Sequence, residues 1–226
     1  MKFSDFIYVV DGSLTQDFCK GVIEKFEQDP VKGPGQCGTK KGNVNTKIKK
    51  SIDCYISNKI NWSQEHNFFA AKVNEHTLEY DASNPVKEII PYPNQLRVED
   101  EELNLNIFDE GIHNTGFQLQ KTKPGDYFNW HHDFATNPRG ARILTYMWYL
   151  NTLEDEDDGY TEFLDGTKIQ PKAGRFVLFP SCWTFYHRGF PPKKDKYICT
   201  GWIYQNFPKN VIDEIKTLSL DDRLVN

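Results

Sequence analysis

The chain has 226 residues, 38% of them hydrophobic, 14% aromatic and 26% charged, which excludes a disordered polymer and suits one folded domain with a ring-rich core. A net charge of −5 gives no general attraction to nucleic acid, and the basic run of Lys40, Lys41, Lys47, Lys49 and Lys50 can act only locally. Cys19, Cys37, Cys54, Cys182 and Cys199 are odd in number and form no C-x-x-C pair, so neither a disulfide framework nor a zinc knuckle is indicated. With no apolar stretch of signal-peptide or membrane length, a cytoplasmic protein with reduced thiols and no membrane partner is expected.

In chain order, residues 6–10 read as a strand, and Ser13 with Gln16 reads as a capping box. The helix it opens carries Phe18, Val22 and Phe26 on one face and must end before Pro30. Residues 32–47 have no period and read as a loop of the kind that often borders a site. A strand over 51–56 and a helix over 63–80 follow, with Phe69, Val73 and His76 spaced for burial, so His76 reads as a packing histidine. From residue 115 the pattern changes to closely spaced strands at 116–121, 142–150, 161–163, 175–179, 184–187 and 196–204. A short helix is expected over 210–220. Helices followed by strands without intervening helices indicate a mainly β, α+β chain, a sandwich or jelly roll buttressed by its N-terminal helices. The expected organisation is a single domain over 1–226. It divides into supporting helices and strands over 1–114, the jelly-roll core over 115–206 and a tail over 207–226.

The segment Trp130-His131-His132-Asp133-Phe134 offers several ligands, and strand geometry selects His131 and Asp133, whose side chains at i and i+2 point the same way. His132 then points elsewhere, and His132 and His113 are read as non-ligands. His187 is the only histidine downstream, so it is the candidate third ligand. Two imidazoles and a carboxylate on one face of an octahedron leave three positions open, the arrangement of non-haem iron(II) oxygenases. After His187, Pro191-Pro192 turn the chain back, so the strand starting at Lys196 is expected beside the one bearing His187. Lys196, Ile198, Thr200 and Trp202 share a face there. A keto dicarboxylate that chelates iron needs a fixed cation for its far carboxylate, and Lys196 is placed to supply it, with Thr161 adding a hydroxyl.

Five ordered blocks carry a resemblance: Pro124 to Asp133 (PGDYFNWHHD), Arg142 to Asn151 (RILTYMWYLN), Gly159 to Phe163 (GYTEF), Pro171 to Pro180 (PKAGRFVLFP), and His187-Arg-Gly-Phe-Pro191 with Lys196-Tyr197 and Trp202. From about residue 117 to 204 the chain resembles the 2-oxoglutarate/iron(II) dioxygenase superfamily, in the branch that includes prolyl 4-hydroxylases. The resemblance implies a double-stranded β-helix, the distorted jelly roll of that superfamily. It implies Fe(II) on His131, Asp133 and His187, 2-oxoglutarate gripped by Lys196 and Thr161, Trp202 on the same pocket wall, and O2 as co-substrate with ascorbate as auxiliary reductant. Arg142 is expected near the substrate channel by the same resemblance, although pairing with the acidic run 154–158 is an equally good reading of that arginine. That run by itself reads as a solvated loop tip.

Three positions depart from the pattern. Thr122 stands where the hydroxylases often place a tyrosine that helps hold the co-substrate, so that contact is lost or supplied from elsewhere. Phe128 replaces a tyrosine near the peptide substrate, and Asp158-Gly159-Tyr160 replaces Gly-Gly-Glu. The implied activity is hydroxylation of a C–H bond, with a peptidyl proline as first substrate and a free amino acid or small metabolite as the alternative. A non-catalytic jelly-roll binding module and a cupin-like metal enzyme are the competing classes, and the intact His131, Asp133, His187 and Lys196 set argues against both.

Overall fold

The computed structural model describes residues 2–38, 43–83, 112–137 and 140–207. The helix expected over 210–220 and the Lys40–Lys41 pair lie outside these residues. Phe3–Phe6 form a 3-10 turn, so strand β1 (Tyr8–Val10) begins two residues later than expected. Phe3 and Phe6 are drawn inward to pack on Phe185. Helix α1 (Gln16–Gln28) buries Cys19, Val22 and Phe26. Its cap is Thr15, whose hydroxyl accepts the Phe18 N–H at 3.2 Å, and not the expected Ser13. The Ser13 hydroxyl is taken up by tertiary partners, Trp148 Nε1 at 2.9 Å and His76 Nε2 at 2.7 Å.

Between the helices, residues 32–47 are not purely loop: β2 (Gly33–Pro34) pairs with β3 (Ile52–Tyr55). Helix α2 (Ser63–Ala82) buries Phe69, Val73, His76, Thr77 and Tyr80, the i, i+4, i+7 pattern its sequence carries. Asp29, just past α1, accepts from Trp62 Nε1 at 2.6 Å and Lys59 Nζ at 3.1 Å, tying the end of one helix to the start of the other. Among the described residues no helix is long and apolar enough to cross a membrane.

The remaining strands are β4 (Ile112–Asn114), β5 (Gln118–Thr122), β6 (Phe128–His131), β7 (Thr136–Asn137), β8 (Gly140–Tyr149), β9 (Thr161–Phe163), β10 (Lys168–Ile169), β11 (Phe176–Pro180), β12 (His187–Gly189) and β13 (Lys196–Asn206). The described strands make two antiparallel sheets, a larger one in the order β1-β11-β8-β13-β5-β3-β2 and a smaller one in the order β10-β9-β12-β6. Strands β4 and β7 attach to β13 and β8. The fold is a jelly roll with the two helices on one face, as the sequence implies.

Strand β8 shows why it holds together, because every second residue goes to a different core. Tyr146 and Trp148 point to the helices and pack with Phe69, Phe117 and Phe176. Met147 and Tyr149 point between the sheets and pack with Phe163, Val177 and Phe179. A strand buried on both sides reads as a nearly continuous apolar run, as Ile143 to Leu150 does with Thr145 as its one break. On β13 the helix-side residues include Gly201, where a Cβ would run into the Tyr146 hydroxyl and the Gly116 carbonyl.

Candidate metal centre

His131 and His187 are cross-strand partners, the end of β6 lying directly opposite the start of β12, with ring centroids 4.3 Å apart. This pairing is what brings the two imidazoles together. The expected strand at 184–187 is accordingly shifted to His187–Gly189. Asp133 lies two residues past the end of β6, so the i, i+2 strand argument reaches the right residue although Asp133 is not in the strand. Its carboxylate oxygens lie 3.8 Å from His131 Nε2 and 3.7 Å from His187 Nε2. The three donor atoms fall within 4.8 Å of one another.

Protonation suits a metal. The carbonyl of Asn129 can only accept, so at 2.7 Å it fixes a proton on His131 Nδ1, and the Phe185 carbonyl does the same to His187 Nδ1 at 3.0 Å. Nε2 is therefore the ring nitrogen that each histidine turns toward Asp133. Burial, followed by the neighbouring His187, pushes the His131 imidazole well below its ordinary range, keeping it neutral. Burial alone would raise the Asp133 carboxyl, but His187, His131 and the Thr145 hydrogen bond outweigh it and hold the group ionised. Two imidazoles and one carboxylate are the donor set of an open non-haem iron site, so these residues fit ferrous iron. Phe128 stacks on the outer face of His131 at 3.5 Å between centroids and 12° between planes.

Behind the triad a cavity of about 60 Å³ runs between the sheets. Lys196 closes its far end, on β13 of the larger sheet, which pairs with β8, β5 and β4. The expectation that this strand lies beside the one bearing His187 is therefore corrected: the two face each other across the sandwich, and a Cβ built on Gly189 would sit 3.8 Å from Lys196 Nζ. Lys196 is 4% exposed and donates to the Gly159 carbonyl at 2.7 Å. No carboxylate of the described residues is paired with it, and burial pushes its pKa down to about 8. An unpaired buried ammonium is costly unless an anion joins it.

Thr161, Thr122 and Trp202 all line this cavity, with Thr122 directly opposite Lys196 in the β13–β5 register. The Thr161 hydroxyl accepts from Tyr149 Oη at 2.7 Å, and its contact with Met147 Sδ, at 3.9 Å, is weak enough to yield to an incoming acceptor. Trp202 is thus a wall of the pocket, and Arg142 stacks over its ring at 3.7 Å. Arg142 also reaches the Asp133 carbonyl at 3.4 Å, so the alternative pairing with residues 154–158 is not formed. In that acidic run Asp157 is buried and bound by Lys194 at 2.9 Å, so it is more than a solvated tip.

His132 turns away from the metal site toward Tyr186, His113 stacks on Tyr204, and His76 is buried on Phe176, so none joins the triad. His76 does meet Glu75 and Glu79 in a second group, but its two nitrogens are already engaged by Ser13 and Glu79. Gln120, Thr145, Met147 and Gly189 also line the cavity. These residues were missed because they have no motif; only the inward phase of β5 and β8, once register is known, points to the first three. The cavity opens onto a wider groove of about 390 Å³, whose walls include Trp130, His132, Phe134, Arg142, Tyr186 and Cys37.

Residues 117–204 match the 2OG-Fe(II) oxygenase superfamily. A PKHD-type hydroxylase of Synechococcus sp. strain CC9902 is 29% identical over 107 residues, which is 46% of this chain and 47% of that protein, so the chain matches about half the length of its relative. Among solved structures, the viral collagen prolyl hydroxylase of Paramecium bursaria Chlorella virus-1 superposes with a TM-score of 0.61 at 21% identity, covering 88% of this chain and 96% of that one. A Pseudomonas putida prolyl-4-hydroxylase gives 0.62 at 16% identity, covering 88% and 93%. A Trichoplax adhaerens prolyl hydroxylase, in complex with a hypoxia inducible factor oxygen degradation domain peptide fragment, gives 0.66 at 17% identity, covering 89% and 84%.

Proposed function

We propose that this chain, which carries a 2OG-Fe(II) oxygenase domain over residues 117–204, is an iron(II)- and 2-oxoglutarate-dependent dioxygenase that hydroxylates a C–H bond, with a peptidyl proline as substrate. The observation that carries the reading is a two-histidine, one-carboxylate cluster joined by a cavity to a buried lysine that no carboxylate of the described residues pairs with. With Fe(II), 2-oxoglutarate and O2 bound, metal and co-substrate supply the oxidant that converts C–H to C–OH while the keto acid is split to succinate and CO2.

The chain's own residues bind, orient and keep water out. His131, Asp133 and His187 would hold the metal. Lys196 would receive the far carboxylate of 2-oxoglutarate, and Thr161, its oxygen already satisfied by Tyr149, would donate a second hydrogen bond. Thr122 and Trp202 would flank the same molecule, while Met147 and Ile198 would supply apolar wall that excludes water. On the open side, Arg142 and Phe128 would meet the substrate.

The groove beyond them favours a peptide over a free amino acid, because Trp130, Phe134 and Tyr186 line it and proline-rich segments dock on aromatic-lined grooves. The five free thiols accord with a reducing compartment, and we place the protein in the cytoplasm. The test is succinate formation from 2-oxoglutarate with iron and ascorbate, screened over proline-rich peptides and a metabolite panel with mass detection of one added oxygen atom. Turnover is expected with a peptide and abolished by His131→Ala, Asp133→Ala or His187→Ala. A metal-loaded protein that makes no succinate with any candidate, or triad variants that match wild type, would overturn the assignment.

A further inference from the structure

The two histidines are fixed by their strands and by backbone carbonyls, but Asp133 lies in the connection after β6, where regular pairing has ended. Something else must hold its carboxylate. Thr145 Oγ1, on β8, donates to Asp133 Oδ2 at 2.9 Å. The same oxygen lies 2.9 Å from Ser181 Oγ, and both hydroxyl residues are 1% exposed. A threonine hydroxyl has one proton, and here it is committed to the carboxylate, so Ser181 must be the donor to Thr145.

The hydrogen bonds thus run in one direction, from Ser181 to Thr145 to Asp133. Ser181 follows β11 directly and its N–H bonds the Ile143 carbonyl at 2.9 Å, so the chain is anchored in the middle of the larger sheet. A hydroxyl that accepts a bond becomes a better donor, which strengthens its hold on the carboxylate.

We propose that Thr145, backed by Ser181, is a positioning residue that fixes the rotamer of the metal-binding carboxylate and thereby sets metal affinity. The proposal rests on Asp133 being a metal ligand. Thr145 is not a catalytic residue, since in this arrangement its proton goes to Asp133 and its lone pair to Ser181. Outer partners of metal ligands change metal affinity by about 10- to 100-fold when removed.

The experiment measures Mn(II) binding to the full chain by loss of the free-ion EPR signal, with the visible spectrum of the Co(II) form as a report on ligand geometry. Wild type, Thr145→Val, Thr145→Ser, Ser181→Ala and Asp133→Ala are compared, and unfolding of each metal-free protein is followed by circular dichroism. Thr145→Val is expected to weaken Mn(II) binding by about 10- to 100-fold and to alter the Co(II) spectrum. Thr145→Ser should restore both, and Ser181→Ala should weaken binding less than Thr145→Val does. If Thr145→Val does not fold, Ser181→Ala and Thr145→Ser decide: binding unchanged in the first, or not retained in the second, overturns the proposal. Wild-type affinity and spectrum in Thr145→Val overturn it as well, while loss of binding in Asp133→Ala leaves the ligand assignment standing. Equal binding by wild type and Asp133→Ala would instead refute the ligand assignment on which the proposal rests.

Discussion

Replacing Lys196 by alanine or methionine should separate binding from stability, because the two respond in opposite directions. In the free protein burial lowers its pKa from the ordinary 10.5 to about 8. That difference corresponds to about 3 kcal/mol at 1.36 kcal/mol per pH unit, the cost of keeping the charge inside. An incoming carboxylate offsets this cost, so removing the ammonium should weaken 2-oxoglutarate binding by about 3 kcal/mol, roughly a hundredfold. The sign for folding follows from proton binding. Between pH 8 and 10.5 the unfolded chain holds the lysine proton and the folded chain has lost it, so stability rises with pH through that window. Below pH 8 the full penalty is present, and Lys196→Met should therefore make the metal-free protein more stable at neutral pH, by at most about 3 kcal/mol. Affinity for 2-oxoglutarate in the wild type should fall above pH 8 as the free ammonium is titrated, and should be flat in the variant. The assay is equilibrium binding of 2-oxoglutarate and of 2-oxopentanoate, its analogue without the far carboxylate, across pH 7–9, with urea unfolding in parallel. Wild type should prefer the dicarboxylate by about a hundredfold and Lys196→Met should show no preference. A variant that still discriminated between the two keto acids would refute the reasoning.

Two further outcomes concern the support of the site. Phe69 is fully buried between Phe18, Phe117 and Trp148, so Phe69→Ala should cost about 3–5 kcal/mol in denaturant unfolding; a loss under 1 kcal/mol would mean the helices do not buttress the sheet. Although burial works to raise the Asp29 carboxyl, hydrogen bonds from Trp62, Val31 and Lys59 hold it below its ordinary range. Its contribution is therefore complete above about pH 4 and lost as pH falls through the lower folded value. Asp29→Ala should remove about 3 kcal/mol at neutral pH and flatten the acid limb of the stability curve, as followed by unfolding at pH 3–7.

Much of the site could be read from the chain because it depends on residue type and order. That His131, Asp133, His187, Lys196 and Thr161 line one cavity, and most of the buried faces of α1 and α2, was legible from ligand chemistry, from the resemblance and from periods of 2 and 3.6 residues. What sequence could not supply was which strand meets which. The Pro191-Pro192 turn makes Lys196 a neighbour of His187 in sequence, yet in a jelly roll a turn can pass the chain to the opposite sheet, and here it does. Ser13 likewise has the local signature of a helix cap, but Trp148 and His76, far along the chain, compete for its hydroxyl. Thr145 was invisible for the same reason: threonine in an apolar strand is ordinary until register places it against Asp133.

That crossing from one sheet to the other turns the sandwich into a ruler. The imidazoles stand on the smaller sheet and the ammonium on the larger, so, on the proposed function, the packing of the layers would set how far apart a chelating head and a charged tail must be. A co-substrate one carbon shorter would leave its tail short of Lys196, and one carbon longer would have to buckle. On the same reading, selection for a five-carbon keto diacid would be a property of how the layers stack, with Phe163, Phe179 and Tyr149 packed in one cluster between them.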